Sequence, residues 1–188
     1  MELIPELSLG WFNGWILLSA LYLVEAVMVL SFPKESRGRL FEYDMSKWSR
    51  RQRASFVVGK SLALICIVMI ALSPLKIGVP LFVPGLIIYI TGLAGFTVAL
   101  LNYRNTPLGR PATTGIYGLS RHPQVFSLWV VFLGICLVIG SWFAVSILVL
   151  SVFFNHQRNV AEEEACLEQY GEAYREYMER VPRYFLFL

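Results

Sequence analysis

The chain has 188 residues, 56% of them hydrophobic and only 15% charged, with a formal net charge of +3. Soluble domains carry about 25% charged residues, so the composition argues against a soluble globular protein. The positive charges flank apolar runs, which gives no support to nucleic-acid binding. Neither Ile77–Tyr103 nor His122–Gln157 contains an Asp, Glu, Lys or Arg. Each run exceeds the roughly 20 apolar residues that a helix needs to cross hydrocarbon, and the chain reads as an integral membrane protein.

In chain order, Glu2 and Glu6 stand where a secretory signal would be positive. The first apolar run, about Leu9 to Phe32, is therefore expected to stay as a membrane helix. Glu25 interrupts it. An acid inside an apolar helix is costly and often functional, but a position near the helix end equally lets it reach the interface. The second and third runs cover about Phe56 to Leu75 and Pro80 to Leu101. The last, Val125 to Phe154, is too long for one upright span and short for two. Gly140-Ser141 near its middle predicts a turn, hence a tight hairpin of two helices of about 15 residues, roughly 22 Å each. One long kinked helix is the alternative. In the tail, Leu167, Tyr170, Tyr174, Tyr177 and Val181 recur at helical spacing. Glu162, Glu163 and Glu164 suit the positive end of that helix, and Pro182 stops it. Cys66, Cys136 and Cys166 show neither metal-ligand nor disulfide spacing and read as packing residues.

The fold expected is all-α and polytopic: about five transmembrane helices, the last two a hairpin, and a cytoplasmic C-terminal helix. Residues 1–112 would hold the first three helices and a basic loop, and 113–188 the catalytic region. Basic residues gather in 34–53, in 102–124 (Arg104, Arg110, Arg121) and in the tail (Arg158, Arg175, Arg180, Arg183). Five spans put these three segments on one side, and the positive-inside rule makes that side cytoplasmic. The N-terminus and the nearly uncharged turns near 73–79 and 140 would then lie outside.

Two polar clusters fall on the cytoplasmic side: Tyr117, Arg121 and His122 at the hairpin entrance, and Asn155, His156, Arg158 and Glu162 to Glu164 at its exit. A hairpin returns its ends to one place, so the clusters are expected to meet. The bland reading makes Arg121 and His122 headgroup anchors, Pro123 a first-turn proline and the glutamates a solvated helix start.

"GIYGLSRHPQ", a hairpin and then "EEEACLEQYGEAYREYMERVPR" resemble the isoprenylcysteine carboxyl methyltransferase family over roughly residues 113–183. Val125 and Ser127 depart from the family's Tyr and Gly. The resemblance implies S-adenosylmethionine-dependent methyl transfer to the carboxylate of a prenylated cysteine or similar lipid acid drawn from the bilayer. It implies that Tyr117, His122, Pro123, Gln124, Val125 and Glu162 hold the cofactor, with Pro111 and Ala112 touching it through backbone. Arg158 would be the catalytic arginine on the substrate side, no metal would be needed, and the tail helix would close over the cofactor. The alternatives are a phospholipid or other small-lipid N-methyltransferase, which needs a base such as His122 or a glutamate, a sterol-reductase-like enzyme using a nicotinamide cofactor, and a non-enzymatic membrane scaffold.

Overall fold

The computed structural model describes residues 1–3, 5–41 and 45–185. Among these the chain is all-helical. The helices are α1 (Trp15–Leu30), α2 (Lys34–Phe41), α3 (Arg50–Leu72), α4 (Phe82–Arg104), α5 (Pro123–Val138), α6 (Trp142–Tyr170) and α7 (Glu172–Arg180), with a 3-10 turn at Gly115–Gly118 before α5. Helices α3 and α4 are long and apolar enough to cross a membrane, whereas α1 and α5 are shorter apolar helices. At 1.5 Å per residue, the 16 residues of α5 reach about 24 Å.

Local chemistry sets the helix starts. Ser49 and Gln52 form a reciprocal capping box at α3, with Gln52 N donating to Ser49 Oγ (3.2 Å) and Ser49 N to Gln52 Oε1 (2.8 Å). Pro123 takes the first position of α5, where no backbone N–H is required. The turn between α5 and α6 falls at Ile139–Ser141, where the sequence predicts it. Gly140 adopts φ +67°, and Ser141 caps α6 by accepting from Ala144 N.

Helix α6 differs from expectation. It does not stop near Phe154 but continues to Tyr170, 29 residues in all. The polar stretch from Asn155 onward is therefore the second half of the same helix. The tail helix predicted up to Pro182 is broken at Gly171, whose φ of +58° lies outside the helical region. Helix α7 is the piece that follows.

Two close-packed pairs build the bundle. Helix α4 lies on α5 through glycines: a Cβ at Gly134 would sit 2.4 Å from Tyr89 N, and one at Gly92 2.6 Å from Val131 N. Small residues here let the backbones touch, which is the main source of affinity between apolar helices. Gly92 and Gly95 both face α5, against Val131 and Ser127. Helix α3 packs on α6, where Ser151 Oγ donates to the Gly59 carbonyl (3.1 Å). Leu21, Ile70, Leu100, Val131, Ile135 and Ile139 are fully enclosed between the helices. Val57, Leu64, Val83, Ile87, Ile90, Val149 and Phe153 are exposed on the outside, as expected of a surface that contacts lipid. Glu25 is half-buried in the last third of α1 and makes no ion pair among the described residues.

The two ends of the bundle have different roles. At one end the N-terminal segment laces the turns together: Glu2 N donates to Gly140 O, Trp142 N to Glu2 O, Leu75 N to Phe12 O and Lys76 N to Val138 O. The other end carries the polar cavity.

Candidate active site

The chain entering α5 is set by one glycine. Gly115 has φ +64°, and a Cβ there would lie 1.9 Å from Asn102 Oδ1, which instead accepts from Ile116 N at 2.8 Å. This contact anchors the 3-10 turn to the end of α4 and turns Tyr117 inward, where it is buried. Gln124 Nε2 donates to the Tyr117 hydroxyl (2.8 Å), and the Tyr177 hydroxyl of α7 donates to the Tyr117 carbonyl (2.7 Å). Burial pushes the Tyr117 phenol well above its usual range, with the nearby Glu162 carboxylate adding to the shift. Burial raises the phenols of Tyr174 and Tyr177 as well. All three rings stay neutral at physiological pH and act as hydrogen-bonding and aromatic surfaces.

Glu163 of α6 is the electrostatic centre, and it is buried. Its Oε1 lies 3.0 Å from His122 Nε2, and its Oε2 3.1 Å from Arg121 Nη1. Arg183 grips it with two prongs, Nε to Oε1 at 3.0 Å and Nη2 to Oε2 at 2.7 Å. An unpaired carboxylate in such a place would be neutralised, since burial disfavours the charge. Burial does push Glu163 upward, but the hydrogen bonds from His122 and Arg183 and the charges of His122 and Arg121 outweigh it. The net result is a carboxyl held down at about 2.

Arg183 comes from a strap, residues 182–185, that runs back over the entrance of α5. Arg121 N donates to Pro182 O (2.9 Å), and His122 N and Ser120 Oγ both donate to Arg183 O. Tyr184 places its hydroxyl 2.9 Å from both His156 Nδ1 and Asn159 Nδ2, and its ring 4.9 Å from that of Trp129. The strap, the entrance of α5 and the second half of α6 thus form one tied unit.

Beside this unit lies a cavity of about 380 Å³. The nine residues that the resemblance assigns to cofactor or substrate line it, Pro111, Ala112, Tyr117, His122, Pro123, Gln124, Val125, Arg158 and Glu162, and so does Arg121, whereas Asn155, His156, Glu163 and Glu164 of the exit cluster are not among the lining residues. Arg158 and Glu162, one turn apart on α6, stand 3.9 Å from each other. Tyr170, Tyr174 and Tyr177 form part of the wall, so the end of α6 and α7 cover it together. Trp48 and Tyr103 complete it from the side of α3 and α4.

Sequence reasoning named Glu163 only as one of three glutamates and gave Arg183 and Tyr184 no role in the site. The acidic run and "RVPR" were visible, but nothing in them told which glutamate points inward or that the chain doubles back after Pro182.

The profile of the phospholipid methyltransferase family matches residues 75–173. The match covers more than half of the chain and spans α4, α5 and the whole of α6. The chain belongs to the phospholipid methyltransferase family. No curated protein and no solved structure matches it.

The cavity suits the methyl donor S-adenosylmethionine by its chemistry. A volume of about 380 Å³ lies in the range of small-ligand pockets, roughly 300–1,000 Å³. Tyrosine faces and the carboxylate of Glu162 fit a sulfonium cation.

Proposed function

We propose that the protein transfers a methyl group from S-adenosylmethionine to the carboxylate of a membrane-borne lipid acid, with a prenylated cysteine as the type of acceptor. One observation carries this reading: a cation and an anion, Arg158 and Glu162, face the same cavity from adjacent turns of α6. The donor supplies a methyl group made electrophilic by a positively charged sulfur. Glu162 stabilises that positive charge, and Tyr117, His122, Pro123, Gln124 and Val125 enclose the remainder of the donor, with Pro111 and Ala112 lining it by their backbone. Arg158 holds the acceptor carboxylate in a two-pronged, charge-assisted pair and aligns it with the methyl group. A lipid carboxylate is ionised at neutral pH, so no base is needed. Arg158 and Glu162 stand 3.9 Å apart. Such a partly exposed pair is worth at most about 1 kcal/mol, so exchanging it for the two ligands costs little.

The membrane setting follows from the acceptor. Its apolar chain stays in hydrocarbon among about five membrane helices, α1 and α3 to α6, while the headgroup enters a cavity on the cytoplasmic side. The strap and α7 act as the cover that excludes water.

A second reading has its own support. Glu163 faces one ring nitrogen of His122, the arrangement that orients a histidine as a base. With a phospholipid amine as acceptor, as the family's description suggests, His122 would take the proton that an ammonium group must lose before it is methylated.

Two substitutions test the division of roles. Glu162→Ala is expected to weaken binding of S-adenosylhomocysteine by about tenfold, the loss of one charge-assisted contact. Arg158→Ala is expected to leave that affinity intact and to reduce methyl transfer at least a hundredfold, the loss of a positioned, charge-pairing group. Calorimetry and turnover assays on the same preparations read both. Equal loss of cofactor affinity in the two variants would contradict the assignment.

A further inference from the structure

Lys60 is the only charged residue between Ser55 and Leu72, the apolar length of α3. A lysine within a helix of this kind is expensive and calls for a partner. Among the described residues it has no carboxylate within ion-pairing distance. Its ammonium stands 5.5 Å over the ring of Phe56, which eases the cost of the charge without neutralising it.

Helices α3 and α6 touch at Gly59, whose carbonyl accepts from Ser151 and where a Cβ would come within 2.8 Å of Asn155 Nδ2. Arg158 is less than one turn beyond Asn155 on α6, and Lys60 follows Gly59, so the two cations flank the same helix seam. Lys60 and Arg158 thus stand on the two helices that meet at the Gly59–Asn155 contact. Arg158 lines the cavity. Trp48, edge-on to Phe56 at 5.3 Å, lines it too. Arg158 therefore faces the cavity while Lys60, exposed on α3 beside the same seam, has no carboxylate within ion-pairing distance among the described residues, and an anion at the seam would serve both cations.

We propose that Lys60 and Arg158 together form the entry site for the acceptor, binding the anionic group of a single-chain lipid at the α3–α6 seam, with Phe56 and Trp48 as the surface for the first part of its chain. This rests on the methyltransferase reading for the use of the site, but not for the binding itself. Lys60 and Trp48 lie outside the segment that matches the family, so they belong to the part of the chain free to set acceptor choice. The shared chemistry is an anionic headgroup on an apolar tail, and a carboxylate and a phosphate are the two sources to separate.

The test is equilibrium binding of labelled N-acetyl-S-farnesylcysteine, its uncharged methyl ester and farnesyl phosphate to the detergent-solubilised full chain. The wild type, Lys60→Ala, Lys60→Arg and Trp48→Ala are compared. The wild type is expected to bind at least one of the anions about tenfold or more tighter than the ester, and the tighter anion names the headgroup. Lys60→Ala is expected to lose that preference while binding S-adenosylhomocysteine as the wild type does. Lys60→Arg is expected to restore it. Trp48→Ala is expected to weaken all three lipids alike, since it removes surface and not charge. Equal affinity for anions and ester in the wild type, or an unchanged preference in Lys60→Ala, would overturn the proposal. Loss of S-adenosylhomocysteine binding in Lys60→Ala would overturn it too, by assigning Lys60 to the fold. Methyl transfer is read separately: an anion preference that depends on Lys60, without turnover of any acceptor, rejects the reaction and keeps the binding pair.

Discussion

Glu162, Glu163 and Glu164 follow one another on α6, and an α-helix turns about 100° per residue, so their carboxylates leave in three directions. Glu162 faces the cavity, Glu163 enters the cluster with Arg121, His122 and Arg183, and Glu164 accepts from Gln52 Nε2 of α3 at 3.0 Å. Only the middle one is enclosed, and removing its charge leaves cations facing each other. Glu163→Gln is expected to cost about 3–5 kcal/mol, seen as a fall in the melting temperature of the purified protein. The pH dependence has a definite sign. The folded-state pKa of Glu163, about 2, lies below the value of about 4.3 for an unfolded chain. Its contribution is therefore complete above about pH 4.5 and is lost as pH falls toward 2. Unfolding measured between pH 6 and 3 should show a decline in the wild type that Glu163→Gln flattens, and parallel profiles would contradict the role given to this residue. Sequence spacing showed that the acidic run would meet Arg121 and His122. It carried no information on the rotation of α6 about its axis, which alone decides which glutamate is buried.

At the scale of elements, positions that turn the chain were more legible than lengths. Gly140-Ser141 marked the turn before α6 because a charge-free run of that length has no other natural break. The continuation of α6 to Tyr170 was hidden, since the change from apolar to polar residues at Asn155 looks like an end although the backbone has no reason to stop there. Gly171 was hidden for the opposite reason: the tyrosine periodicity runs through it and suggests one helix. The strap at 182–185 gave no signal, because a short extended segment acquires its place only from partners distant in sequence. The glycine contacts between α4 and α5 support a prediction at this scale. A side chain at Gly134 would meet backbone atoms of Tyr89, which cannot withdraw as a flexible side chain can. Gly134→Leu is expected to destabilise by about 3 kcal/mol, the upper part of the range for overpacking. The loss would be read as a shortened half-life in detergent. Wild-type stability of that variant would mean that the two helices do not approach so closely.

For the whole molecule, the proposed reaction requires the laced end and the cavity end on opposite sides of a membrane, with the cavity cytoplasmic. That orientation is the one expected from the distribution of Lys and Arg. It is checked by placing single cysteines at Lys76, in the laced end, and at Arg110, beside the cavity, with Cys166 replaced by Ser and the enclosed Cys66 and Cys136 kept. A membrane-impermeant maleimide should label position 76 on intact cells and position 110 only after permeabilisation. The reverse pattern would invert the topology and place the cavity away from cytosolic S-adenosylmethionine.

Methyl transfer to a lipid carboxylate and methyl transfer to a lipid amine are separated by a single assay. The detergent-solubilised protein is given methyl-labelled S-adenosylmethionine with N-acetyl-S-farnesylcysteine and phosphatidylethanolamine side by side. Label is expected on the farnesylcysteine, released by base as methanol, the mark of a methyl ester, and is expected to be lost in Arg158→Ala. Label confined to the phospholipid, and abolished by His122→Ala, would contradict the carboxylate reading and establish the amine reaction with His122 as its base.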